Sequence, residues 1–144
     1  MRVPVKKLNS RALLPTRGSD RAAGYDLYAC LDGETVIPPR ETRLIPTGLA
    51  VALPEGTFGA VFARSGLAAR EGLRPANCVG VIDSDYRGEL MVALHNDSGA
   101  PRAVAHGARI AQLVLLPYLP MEFEEEAALP DTERGAGGFG STGA

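Results

Sequence analysis

The chain has 144 residues, 17 glycines and 11 prolines, 45% apolar and 22% charged residues, and a net charge of −2. Such a length suits one domain that buries a core without staples, and a glycine-plus-proline share of about a fifth is high without reaching that of a low-complexity chain. Collagen, coiled-coil and membrane classes are excluded by this composition, and the balanced charge gives no global attraction to nucleic acid or to an anionic membrane.

In chain order, Met1-Arg-Val-Pro-Val-Lys-Lys7 is basic but has no apolar run behind it, so no signal peptide is expected. Gly24–Cys30 reads as a first short strand. From Thr42 to Phe62, short apolar runs (Leu44-Ile45, Leu49–Leu53, Ala60–Phe62) are punctuated by Pro46-Thr-Gly48 and Pro54-Glu-Gly56. Runs of about five residues at spacings near ten predict an all-β sandwich or barrel. Ser65–Gly72 combines a serine cap, good helix formers and a terminal glycine, which predicts one or two turns of helix. Val79–Ile82, Leu90–His95 and Ile110–Pro117 read as further strands. Asp32-Gly33, Ser98-Gly99 and His106-Gly107 carry hairpin-turn chemistry.

After the acidic run MEFEEE (Met121–Glu126), residues 133–143 hold five glycines around Arg134 and Phe139. Composition reads this segment as a mobile terminus. Cys30 and Cys78 form no CxxC pair; two cysteines allow one bridge, but each reads as an intracellular core thiol. His95 and His106 fall outside zinc-ligand spacings, so no protein-held zinc is expected. The expected setting is a soluble, cytoplasmic protein.

Several segments carry chemistry. Gly135-x-Gly137-x-x-Gly140 matches the dinucleotide-binding pattern, but it lacks the strand, helix and βαβ unit that such a fingerprint needs. Its glycines, with Ser141, Thr142 and Arg134, are nevertheless suited to phosphate. Arg64-Ser-Gly-Leu-Ala68 opens the predicted helix: it reads either as an anion site at a helix start or as a plain serine cap beside a solvated arginine. In Gly80-Val-Ile-Asp-Ser-Asp-Tyr-Arg-Gly-Glu-Leu90, Val81-Ile82 reads as buried strand. Asp83 after it is either a general base in a semi-apolar wall or a turn-forming aspartate. Gln112 interrupts an apolar strand with an amide.

Taken together, AGYDLYA, RSGLA, GVIDSDYRGEL, RIAQLV and RGAGGFGSTG occur in that order from Ala23 to Gly143. This arrangement resembles the five motifs of the trimeric dUTP pyrophosphatase family, and the PTGL and LPEG turns agree. The resemblance implies a jelly-roll-like β-barrel catalytic domain over residues 1–130, with one short helix, and a flexible glycine-rich tail over 131–144 that closes on the site. It further implies a homotrimer with active sites shared between subunits.

By the same resemblance, Asp83 activates a water to attack the α-phosphorus of dUTP, giving dUMP for thymidylate synthesis and pyrophosphate. Arg64, Ser65, Gly66 and Gln112 bind phosphates. On a hairpin formed by the third motif, the backbone around Gly80, Val81 and Ile82, with Asn77 and Met91, reads the uracil edge, and Tyr86 lies against the deoxyribose. From the tail, Arg134 meets the γ-phosphate, Phe139 stacks on uracil, and Gly140, Ser141 and Thr142 surround the phosphates. Magnesium is carried by the substrate phosphates with no direct protein ligand, Asp26 reaching its waters. Arg70–Pro75 reads as an insertion outside the motifs. A dCTP deaminase of the same fold and a non-catalytic nucleotide-binding jelly roll are the alternatives.

Overall fold

A computed structural model of the chain describes residues 1–138. Twelve strands and one helix follow in the order β1 (Val5–Lys7), β2 (Thr16–Arg17), β3 (Tyr25–Tyr28), β4 (Thr35–Ile37), β5 (Thr42–Pro46), β6 (Leu49–Val51), β7 (Thr57–Phe62), α1 (Ser65–Glu71), β8 (Leu73–Pro75), β9 (Gly80–Ile82), β10 (Met91–Asn96), β11 (Arg102–Val104) and β12 (Arg109–Pro117). The all-β, jelly-roll-like expectation holds. Among the described residues the ladders form four sheets rather than one closed barrel: β2-β3-β12-β7-β9, β5-β10-β8, β1-β6 and β4-β11.

Among the described residues every pairing is antiparallel, and only the paired strands β2 and β3 are neighbours in sequence. The turns at Asp32-Gly33, Ser98-Gly99 and His106-Gly107 therefore do not close hairpins. Each carries the chain from one sheet to another, because the strands on its two sides pair elsewhere. The Gly80–Leu90 segment behaves in the same way: β9 pairs with β7, whereas β10 pairs with β5 and β8. It is a crossover loop, not the expected hairpin.

Alternation places the core. Along β10, Val92, Leu94 and Asn96 are buried while Met91, Ala93 and His95 are not, the period-two pattern of a half-covered strand. Leu27, Ile37, Ile45, Leu94 and Ile110 meet in one cluster at 0–1% exposure, where each buried side chain contributes about 1.5–3 kcal/mol. Asn96 is buried with its amide fully used: it donates to the carbonyls of Ile37 and Ala100 and accepts from Ser98.

The helix forms where expected, with two corrections. Arg64, not Ser65, holds the N-cap position in extended backbone, and no side chain caps the first turn. Gly72 ends the helix at φ +70°, a left-handed conformation open to glycine. Arg70–Pro75 contains the helix end and β8, whose Leu73 and Pro75 are buried. Cys30 is a buried thiol, but Cys78 is exposed. The last strand ends at Pro117; residues 118–138 add no strand or helix. Leu119, Met121, Phe123 and Leu129 there are 73–92% exposed. Among the described residues no helix is long and apolar enough to cross a membrane.

Candidate active site

β12 runs between β3 and β7, and in the two ladders Gln112 stands opposite both Asp26 and Phe62. Residues directly opposite in an antiparallel ladder share a face, so the Asp26 carboxylate and the Gln112 amide project to the same side. Gln112 Nε2 donates to the Ala63 carbonyl at 2.9 Å. That carbonyl lies just past β7, so the amide fixes the path of the chain into Arg64 and α1.

Arg64 Nε then donates to Asp26 Oδ1 at 2.7 Å, and Arg109 Nη1 to Asp26 Oδ2 at 3.4 Å. Asp26 and Arg64 are only 14% and 27% exposed, so the pair is partly withdrawn from water, where its charge-assisted bond is stronger than at an open surface. Among the described residues Arg64 donates through Nε alone, which leaves both Nη groups for an anion. A cavity of about 470 Å³ opens here, lined by Gly24, Asp26, Arg64, Ser65, Gly66 and Gln112, together with Arg70 and Arg109. Three arginines thus face one space against Asp26 and Glu71, a positive balance suited to phosphate. Arg70 and Arg109 are additions to the expected set; Arg109 was visible as the first residue of RIAQLV.

The Gly80–Leu90 loop builds a second group. β9 is the outer strand of its sheet, so Val81 is 60% exposed and Ile82 only partly covered. This corrects the reading of a buried strand. Asp83 follows it, exposed, at the start of a turn closed by the Tyr86 N–H donating to the Asp83 carbonyl at 3.2 Å. Tyr86 Oη donates to the Glu89 carbonyl at 3.0 Å, and Arg87 Nη1 donates to the Ser84 carbonyl at 2.6 Å. The Tyr86 ring lies on Gly88: a Cβ there would sit 2.3 Å from Tyr86 Oη.

The loop is tied down at its far end. Glu89 Oε1 accepts from the Gly48 N–H at 2.7 Å, and the buried Thr47 Oγ1 donates to the Leu90 carbonyl at 2.6 Å. Asn77 lies on an exposed turn before β9, and a Cβ on Gly80 would come within 3.2 Å of its Nδ2. Met91, at the start of β10, is 37% exposed. Asp83 and Val81 line a cavity of about 840 Å³ with Leu53, Glu55, Phe58 and Ser84.

Among the described residues this cavity shares no lining residue with the arginine-lined one. A single chain therefore presents Asp83 and Arg64 to different spaces. Arg134 joins neither: its Nε donates to the Gly137 carbonyl at 2.8 Å, within its own segment. Phe139, Gly140, Ser141 and Thr142 lie outside the described residues.

The fold and the cavity define a β-protein of jelly-roll-like architecture with an arginine-lined pocket suited to an anion. Comparison with known proteins carries this further. The family model described as dUTPase matches residues 10–143. A deoxyuridine 5'-triphosphate nucleotidohydrolase of Desulfitobacterium hafniense is 55% identical over 90% of this chain and 87% of its own. The protein of that name from Syntrophotalea carbinolica is 47% identical over 98% and 96%. The dUTPase of Staphylococcus bacteriophage 80alpha with dUpNHpp superposes at a TM-score of 0.90, with 29% identity and 99% of both chains covered. The chain belongs to the dUTPase family.

Proposed function

We infer that this protein, a dUTP diphosphatase by family, splits dUTP into dUMP and pyrophosphate by attack of an Asp83-activated water on the α-phosphorus. In that step the water oxygen bonds to the α-phosphorus and the bond to the bridging oxygen breaks. Pyrophosphate leaves with the electron pair, and Asp83 takes up the water's proton. The observation that carries this reading is the cavity where Arg64, Arg70 and Arg109 surround Asp26 and Gln112: three guanidinium groups around one space suit a triphosphate. Arg64, Ser65, Gly66 and Gln112 are the phosphate-binding residues of this reading.

Asn77, Gly80, Val81, Ile82 and Met91 read the uracil edge, where hydrogen-bond donors and acceptors set by the backbone reject a base with the wrong pattern. Tyr86 packs on the deoxyribose and leaves no space for a 2′-hydroxyl. The tail over 131–144 closes the site, with Arg134, Phe139, Gly140, Ser141 and Thr142 on the nucleotide. Because Asp83 and Arg64 line separate cavities of one protomer, a site that uses both draws them from different copies. This supports a homotrimer with shared sites, as do the exposed apolar side chains of Leu119, Met121 and Phe123.

Magnesium would supply charge neutralisation on the phosphates. Among the described residues no three His, Cys, Asp or Glu side chains gather to hold a metal, and both Asp26 oxygens already receive arginine N–H groups. That donor set suits an ion carried by the phosphates, with Asp26 reaching it through water.

The test is pyrophosphate release from each deoxynucleoside triphosphate, run beside an Asp83→Asn variant. Release from dUTP alone, lost in the variant while nucleotide binding persists, is the expected result. Turnover by Asp83→Asn near the parent rate would remove Asp83 as base, and ammonia from dCTP would replace the reading with a deaminase.

A further inference from the structure

We infer that Arg74, held by Asp97, is a positioning residue for base recognition, because it fixes the turn that carries Asn77; the inference rests on the proposed role of Asn77. The four residues of that turn, Ala76 to Val79, are all exposed, so burial does not hold their shape. Its backbone is also demanding. Cys78 has φ +62°, a region unfavourable for a residue with a Cβ, and the Val79 N–H reaches back to the Asn77 carbonyl at 2.6 Å.

Polar ties supply what burial does not. The Pro75 carbonyl accepts from the Cys78 N–H and from Arg74 Nη1, both at 3.2 Å. The same Nη1 lies 3.7 Å from Cys78 Sγ. On its other side the guanidinium grips Asp97 as a fork, Nε to Oδ2 at 2.6 Å and Nη2 to Oδ1 at 3.2 Å. Asp97 does not move freely either, since its N–H donates to the Gly72 carbonyl at 2.8 Å where α1 ends. Arg74 thus spans from the end of the helix to the turn before β9. A lysine there would keep the charge but lose the planar fork that makes both connections at once.

Among the described residues neither Arg74 nor Asn77 lines either cavity of the candidate site; the effect of Arg74 on the base passes through the shape of the turn, which carries Asn77 and leads into Gly80 and Val81. The experiment compares Arg74→Gln, Arg74→Lys and Asn77→Ala with the parent, measuring kcat and KM for dUTP, the dUTP-to-dCTP selectivity and Tm. Both Arg74 variants should raise the KM for dUTP by roughly 10-fold, as misplaced binding groups do, with a smaller change in kcat and reduced selectivity. A purely structural role would lower Tm and the active fraction without a KM or selectivity shift; that outcome overturns the inference. An unchanged KM in both Arg74 variants beside a raised one in Asn77→Ala overturns it too, while leaving the base-site reading intact. If Asn77→Ala itself leaves KM and selectivity unchanged, the role of Asn77 falls and the inference with it. Should Arg74→Gln fail to fold, Arg74→Lys decides.

Discussion

Gly24 lies directly against the side-chain amide of Gln112: a Cβ at Gly24 would sit 2.2 Å from Gln112 Oε1 and 3.1 Å from its Cδ. The first and fourth motifs are therefore one packing unit, in which the missing side chain of one makes space for the amide of the other. Gly24→Ala has to move Gln112, and with it the bond to the Ala63 carbonyl that leads the chain into Arg64. We expect kcat/KM for dUTP to fall by about 10- to 100-fold, the cost of a binding group misplaced by about an ångström, with the fold retained. Steady-state kinetics beside a circular-dichroism melt check this; unchanged kinetics would mean that Gln112 has no part in binding.

A similar relationship governs Tyr86. Its ring lies on Gly88, and its hydroxyl is held by the Glu89 carbonyl at 3.0 Å. Gly88→Ala should push the ring away, because the added methyl overlaps it. Tyr86→Phe should keep the ring in place and lose a single exposed hydrogen bond, worth about 1 kcal/mol or less. If the ring is what excludes the 2′-hydroxyl, Gly88→Ala should cleave UTP relative to dUTP several-fold better than the parent, and Tyr86→Phe should not. Pyrophosphate release from the two nucleotides measures the ratio.

The residues of the motifs were legible in the sequence, but their partners were not. Asp26, Arg64 and Gln112 come together through ladders between strands far apart in the chain, and local periodicity records no such pairing. For the same reason Gly80–Leu90 reads as a hairpin: a glycine, a turn and two apolar runs look alike whether the runs pair with each other or with distant strands. Burial failed at Val81 and Cys78 because neither residue type reports whether its strand is outermost in a sheet. Arg70 escaped notice because a basic residue in the last turn of a helix is ordinary, and only the fold brings it beside Arg64 and Arg109.

Thr47 gives the fold its clearest single-atom test. Its hydroxyl, fully buried, donates to the Leu90 carbonyl at 2.6 Å and accepts from the Leu49 N–H at 3.3 Å, joining the PTGL turn to the end of the Asp83 loop. Thr47→Val keeps the shape and removes both bonds. The Leu90 carbonyl retains the Thr47 N–H at 3.2 Å, so the loss should fall near 1–2 kcal/mol. For a chain of this size that corresponds to a Tm lower by about 3–8 °C. A Tm within a degree of the parent would mean that the hydroxyl adds nothing.

Acid should act on the Arg74–Asp97 pair in a defined direction. The hydrogen bond from Arg74 holds the Asp97 carboxyl below the usual carboxylate range, and the charges of Arg74, His95 and Arg40 add to the effect. A carboxyl whose value is lower in the folded state than in the unfolded chain stabilises the fold while it is ionised. That contribution is complete above the ordinary aspartate value of about 3.9 and is lost as pH falls through the lower, folded value. Asp97→Asn lacks it at every pH. The Tm of the parent should therefore exceed that of Asp97→Asn at neutral pH, and the two should converge as pH drops below about 4. Melts of both proteins from pH 7 to pH 3 show this; a difference that persists unchanged at pH 3 would mean that packing, not charge, separates the two side chains.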